Sequence, residues 1–176
     1  MIFKMKKIQE GIYQYGAELK NPSDRSLVLV HPWYGEGINN LRAWNIFDYS
    51  SYSLHSSEDS YLYNLYNLLY KSSDRNLFLF EEKPKRNVEK TCKRIIGLRK
   101  SDIGIYAICT KSDDPTPSRS TWESVLDFIY NFSNKIDVAG GYVWGEKNNQ
   151  GCAGHVYMRL KDNNFDVRLV DSCCFK

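Results

Sequence analysis

The sequence contains no run of about 18 apolar residues, the length that a membrane-spanning helix needs. Its basic opening, Met1–Lys7, is followed by no apolar segment of signal-peptide length, so a cytoplasmic protein is expected. Neither sign of charge dominates. Lys and Arg total 24 against 21 Asp and Glu, and the basic residues are scattered instead of forming the stripe that a phosphate backbone selects. No nucleic-acid or membrane partner is therefore predicted. Cysteine is sparse: five residues, an odd number, lack the spacing of a secreted disulfide framework, and free thiols are expected. Internal repeats and linker-like stretches are missing too. A chain of 176 residues suits one well-buried core, so 1–176 is read as a single α/β domain.

Aromatic residues are plentiful at 14%, with 13 Tyr, which argues against disorder over most of the chain. Ser26-Leu-Val-Leu-Val-His31 and Asn76-Leu-Phe-Leu-Phe-Glu81 are continuous apolar runs, the pattern of strands covered on both faces. Further strands are expected at Ile103–Thr110, Val138–Trp144 and Phe165–Val170, and an edge strand or hairpin arm at Ile8–Tyr15. Between them lie helical patterns. Leu62, Leu65, Tyr66 and Leu69 follow a cap at Ser57, and Val88, Cys92, Ile95 and Ile96 follow one at Asn87. Ser120 and Glu123 have the spacing of a capping box ahead of Trp122, Val125, Leu126 and Ile129, and a last helix is expected near Gln150–Lys161. Strands alternating with helices imply right-handed crossovers. The predicted fold is a three-layer, Rossmann-like α/β domain whose mainly parallel sheet has about five strands flanked by helices.

Such a sheet gathers the carboxyl ends of its strands on one edge, outside which ligands bind. That edge is expected to display His31, Glu81, Glu82, Thr110, Lys111, Trp144, Glu146 and Asp171. Strands also end wherever polar residues begin, so the convergence has a purely structural explanation as well. Cys152 opens a helix directly after a strand, where unpaired amides and the helix dipole favour thiolate. Its structural alternative is a small buried residue at a crowded strand-to-helix join. For His31 that alternative is a strand-end residue bonded to a loop, and for Lys111 a solvated charge.

The C-terminal part, with Gly151-Cys152 opening a helix and then Asn164-Phe-Asp-Val-Arg-Leu-Val-Asp171-Ser-Cys, resembles the isochorismatase-like cysteine hydrolases. The resemblance implies a nucleophilic Cys152 and, by position, a supporting Lys111. It also implies an Asp at the end of the first central strand, where this chain has His31. On that basis Cys152 is the candidate nucleophile, His31 the base that takes its proton, and Lys111 the electrostatic support. Trp33, Trp144, Glu146 and Gly151 are the candidate substrate-binding residues. The expected reaction is hydrolysis of an amide or related carbonyl of a small molecule, without a cofactor. A homo-oligomer is compatible with the sequence, as is a noncatalytic interaction domain using the Tyr-rich stretch Tyr49–Tyr70.

Three other chemistries are weaker. Cys152 and His155 share a helix face near Cys173 and Cys174, but adjacent cysteines rarely aim at one zinc ion, and no metal site is assigned. Glu81-Glu82-Lys83 lacks the upstream Asp of a metal nuclease. Gly35-Glu-Gly37 has Asn40 where a dinucleotide loop has its third Gly.

Overall fold

The computed structural model describes residues 5–19, 22–32, 57–82, 85–99, 104–111, 114–143 and 151–174. Among the described residues, eight strands and four helices run in the order β1 (Lys6–Gln9), β2 (Ile12–Tyr15), β3 (Arg25–Val30), α1 (Ser57–Lys71), β4 (Leu77–Glu82), α2 (Lys85–Arg99), β5 (Ile105–Lys111), β6 (Asp114–Pro117), α3 (Trp122–Tyr130), β7 (Lys135–Ala139), α4 (Cys152–Asp162) and β8 (Asp166–Leu169). A short 3-10 turn, Asp171–Cys173, follows β8.

The expected mainly parallel, five-stranded Rossmann-like sheet is corrected. All eight strands belong to one mixed sheet, ordered β1-β2-β5-β4-β3-β7-β8, with β6 also paired to β5. The joins β1–β2, β2–β5 and β5–β6 are antiparallel, whereas β3, β4, β5, β7 and β8 form a contiguous parallel block. The antiparallel strands have only four residues each: β1 and β2 form a hairpin where an edge strand or hairpin arm was expected at Ile8–Tyr15, whereas β6 reads Asp-Pro-Thr-Pro, a composition that strands avoid.

The central strands are apolar throughout because helices cover both faces. Leu27, Leu29, Leu77 and Leu79 pack with α1 and α2 through Leu65, Leu69, Val88, Cys92 and Ile95. Val28, Val30, Phe78 and Phe80 point the other way, to Val125, Leu126 and Ile129 of α3 and Val156 and Leu160 of α4. Each such side chain, fully buried, contributes about 1.5–3 kcal/mol. Phe78 is the centre of an aromatic group, with ring centroids 5.5 Å from Tyr106 and 5.5 Å from Phe132. At the amino end of the block, Asp137 of β7 bridges two guanidinium groups, Arg25 at 3.3 Å and Arg75 at 2.7 Å. Among the described residues, no helix is long and apolar enough to cross a membrane.

Several local expectations shift. Helix α3 is capped by Thr121, whose Oγ1 accepts the Ser124 amide at 3.2 Å, so Ser120 is not the cap. Asn87 lies inside α2, which begins at Lys85. Strand β7 stops at Ala139 instead of running to Trp144, because Gly140 and Gly141 take φ of +86° and +50°, a left-handed turn that ends any ladder.

The chain enters the parallel block at β3, winds outward through β4 to β5, then returns to the other side of β3 as β7 and β8. Strand order therefore reverses between β3 and β7. In open α/β sheets that reversal parts the loops and leaves a crevice outside the carboxyl ends.

Candidate functional site

The reversal point is closely packed. A Cβ placed on Gly140 would lie 2.6 Å from the Val30 carbonyl oxygen, and one on Gly141 would lie 2.9 Å from the same oxygen and overlap Cys152 Sγ. The two glycines thus let the end of β7 press against the end of β3, with the sulfur seated on them. Gly140 N–H donates to Cys173 O at 2.7 Å, tying in the turn after β8. From α1, the Tyr61 hydroxyl donates to Pro32 O at 2.7 Å, and Asn64 Nδ2 donates to Ser172 O at 3.1 Å. Burial, reinforced by the nearby Cys174, Cys173 and Cys152, holds the Tyr61 phenol well above its ordinary pKa.

Cys152 is the first residue of α4, with Gly151 as a cap that has no side chain. Gly151 N–H donates to Val143 O at 2.9 Å, and Ala153 N–H to Tyr142 O at 2.9 Å. These bonds lay the start of the helix along the Tyr142–Val143 segment. The sulfur accepts the Tyr142 amide at 3.3 Å. Burial pushes the thiol pKa up; the amides of Tyr142, Ala153 and Cys152 itself pull it down, and the Glu81 carboxylate adds to the rise. The net direction is upward, so desolvation outweighs the helix terminus and the resting group is a thiol. All five cysteines are free, and Cys152 is the least buried of them.

His31 follows β3 with φ of +41°, a left-handed conformation that a residue with a Cβ seldom adopts. Its position continues the Leu27 and Leu29 face, yet Nε2 lies 3.0 Å from Thr110 Oγ1, on the Tyr106 and Ile108 face of β5. The turn has swung the imidazole across the end of β4. Both side chains are buried. Glu81, next to last in β4, lies on the opposite face, where its carboxylate accepts the Glu82 amide at 2.9 Å and the Thr91 hydroxyl at 3.0 Å. Burial pushes its pKa up.

Cys152, His31 and Lys111 thus all occur at the carboxyl rim, each engaged differently. Lys111 is exposed at the end of β5, in register with Asp114 of β6. Gly151 is buried under Tyr142. Trp33, Trp144 and Glu146 lie outside the described residues, as do Gly35, Gly37 and Lys83. Among the described residues, no group of three or more His, Cys, Asp or Glu is arranged to hold a metal ion.

Sequence reasoning missed Tyr61 and the glycine pair as parts of this rim. The signal for the pair was present, since glycine inside an apparent strand marks a bulge or a close backbone approach. Nothing local marked Tyr61, which reads as another apolar position of α1. No protein-family model, curated protein or solved structure matches the chain.

Proposed function

We propose that the protein is a cysteine-dependent hydrolase acting on an amide or related carbonyl of a small molecule, with Cys152 as nucleophile. The observation that carries the reading is the position of the Cys152 sulfur, at a helix amino terminus beside the point where strand order reverses, with the Tyr142 amide on it. The resemblance of the segment from Gly151 to Cys173 to isochorismatase-like hydrolases supports the same assignment. A cytoplasmic setting suits five free thiols.

Because burial keeps the thiol protonated at rest, its proton must leave as the carbon–sulfur bond forms. In this reading the His31 imidazole takes that proton while sulfur attacks the carbonyl carbon. Gly151 N–H is engaged by Val143 O, so the oxyanion is assigned to the Cys152 amide and the Lys111 ammonium. Collapse of the tetrahedral adduct expels the amine, which takes the proton from His31 and leaves a thioester. Water then attacks the thioester carbon, releasing the acid and restoring the thiol.

One observation favours a noncatalytic binding domain: the upward displacement of the thiol pKa, opposite to that of a pre-activated thiolate. Alkylation across pH with peptide mapping separates the two readings. The hydrolase predicts that Cys152 in the folded protein is modified well before Cys92 and Cys109, and that His31→Gln moves its pH profile. Cys152 that stays unmodified until the chain unfolds would support the binding domain and remove the hydrolase.

A further inference from the structure

The two ends of the sheet are guarded differently. On β1, the outer edge carries exposed Lys6 and Lys7, a charged strand that resists pairing with another edge. On β8 no lysine stands in the strand, which reads Asp-Val-Arg-Leu. Asp166 and Val170 turn their amides inward, donating to Asn134 O at 2.8 Å and Val138 O at 2.9 Å. The alternation of a strand then points the backbone N–H and C=O groups of Val167 and Leu169 outward, where no described strand pairs with them. Val167 and Leu169 side chains pack against the core under α3 and α4, and Asp166 and Arg168 are exposed on the other face.

We propose that β8 pairs antiparallel with β8 of a second copy of this chain, about a two-fold axis through Val167. This register sets Asp166 opposite Arg168 of the partner subunit and, by symmetry, Arg168 opposite the partner's Asp166. Val167 meets the partner's Val167 and exchanges both backbone hydrogen bonds with it, and Phe165 meets the partner's Leu169. Two features make the register specific. A shift by one residue turns the apolar side chains to the wrong face. A shift by two sets Arg168 against the partner's Arg168, or Asp166 against the partner's Asp166, and like charges directly opposite are destabilising.

The inner side of Asp166 is held by Arg25, but its side chain remains 53% exposed and so is open to the partner's Arg168. Tyr130 is the most exposed large hydrophobic side chain among the described residues, at 56%, and packs edge-on against Phe165 at 5.5 Å where the strand begins. The contact is isologous and closed, so it yields a dimer and not a fibre. Its area is small, placing it with weak, micromolar interfaces.

Sedimentation equilibrium of the full chain, with reductant and over a concentration series into the high-micromolar range, tests this. Wild type is expected to approach a species of twice the 20.5 kDa chain mass. Arg168→Asp and Asp166→Arg are each expected to remain monomeric, and an equimolar mixture of the two to regain the dimer, because Asp then faces Arg at both positions. Arg168→Lys should dimerise, which holds the test open should Asp166→Arg lose its fold on leaving Arg25; circular dichroism reports folding throughout. A wild type that stays monomeric, an Arg168→Asp variant that associates like wild type, or a mixture of folded variants that stays monomeric would each overturn the proposal.

Discussion

Thr110 Oγ1 lies 3.0 Å from His31 Nε2, joining the end of β3 to β5 across the end of the strand between them. Both groups are buried, so their hydrogen bond is shielded from water and fastens the left-handed residue after β3 to β5. Thr110→Val keeps the shape and removes the hydroxyl. The expected loss is about 1–3 kcal/mol of stability, the cost of removing one partner of a buried hydrogen bond. Denaturant unfolding measures it, and an unchanged midpoint would mean that the Thr110 hydroxyl does not help to hold this end of the sheet.

Gly141 sits under the Cys152 sulfur with φ of +50°. An alanine there meets both the sulfur and the Val30 carbonyl oxygen, and neither the helix start nor the strand end can retreat freely. Gly141→Ala is expected to destabilise by about 1–3 kcal/mol. It should also change the Cys152 alkylation rate in the folded protein, read by peptide mapping, whereas Gly97→Ala, in open space within α2, should leave that rate unchanged and stabilise the fold by up to about 1 kcal/mol.

His155 links pH to stability. Its ring stacks on Trp122 at 5.7 Å, and Arg159 Nε donates to its Nε2 at 3.4 Å. Burial lowers its pKa, Arg159 lowers it further, and Asp114 opposes them. A depressed folded-state pKa means that the folded protein resists protonation. The contribution is therefore complete above the ordinary histidine pKa near 6.5 and is lost as pH falls through the lower folded-state value. Thermal melts from pH 8 to pH 5 should show a steeper decline for wild type than for His155→Gln. Parallel curves would contradict this.

The parts of the fold legible in the sequence were those set by local pattern. Leu27–Val30 and Leu77–Phe80 announce buried strands because no polar side chain interrupts them, and the stripe of Val88, Cys92 and Ile95 follows directly from helical period. The Ile8–Tyr15 stretch was legible as an edge strand or hairpin arm, and β1 and β2 form such a hairpin, but its antiparallel pairing to β5 and the strand β6 stayed hidden for a physical reason. β1, β2 and β6 are held by pairing across the sheet and not by their own sequence, and Asp114-Pro-Thr-Pro117 opposes the strand it forms. At the site, the helix opening at Cys152 was visible, but the direction of its thiol pKa was not. The dipole argument is local, whereas desolvation comes from burial in the folded chain, where the sulfur is seated on Gly141. Thr110, which His31 meets at Nε2, stands 79 positions away and on the other face of the sheet, and nothing local in the sequence signals the positive φ that turns the imidazole towards it.

The most direct measurement of the central claim is intact-mass spectrometry of the protein mixed with an activated acyl donor and quenched in acid. A single acyl group attached to Cys152, absent from Cys152→Ser and decaying with time as water releases it, is the predicted result. No adduct, or acyl groups spread over surface lysines with Cys152 untouched, would contradict a thioester-forming hydrolase.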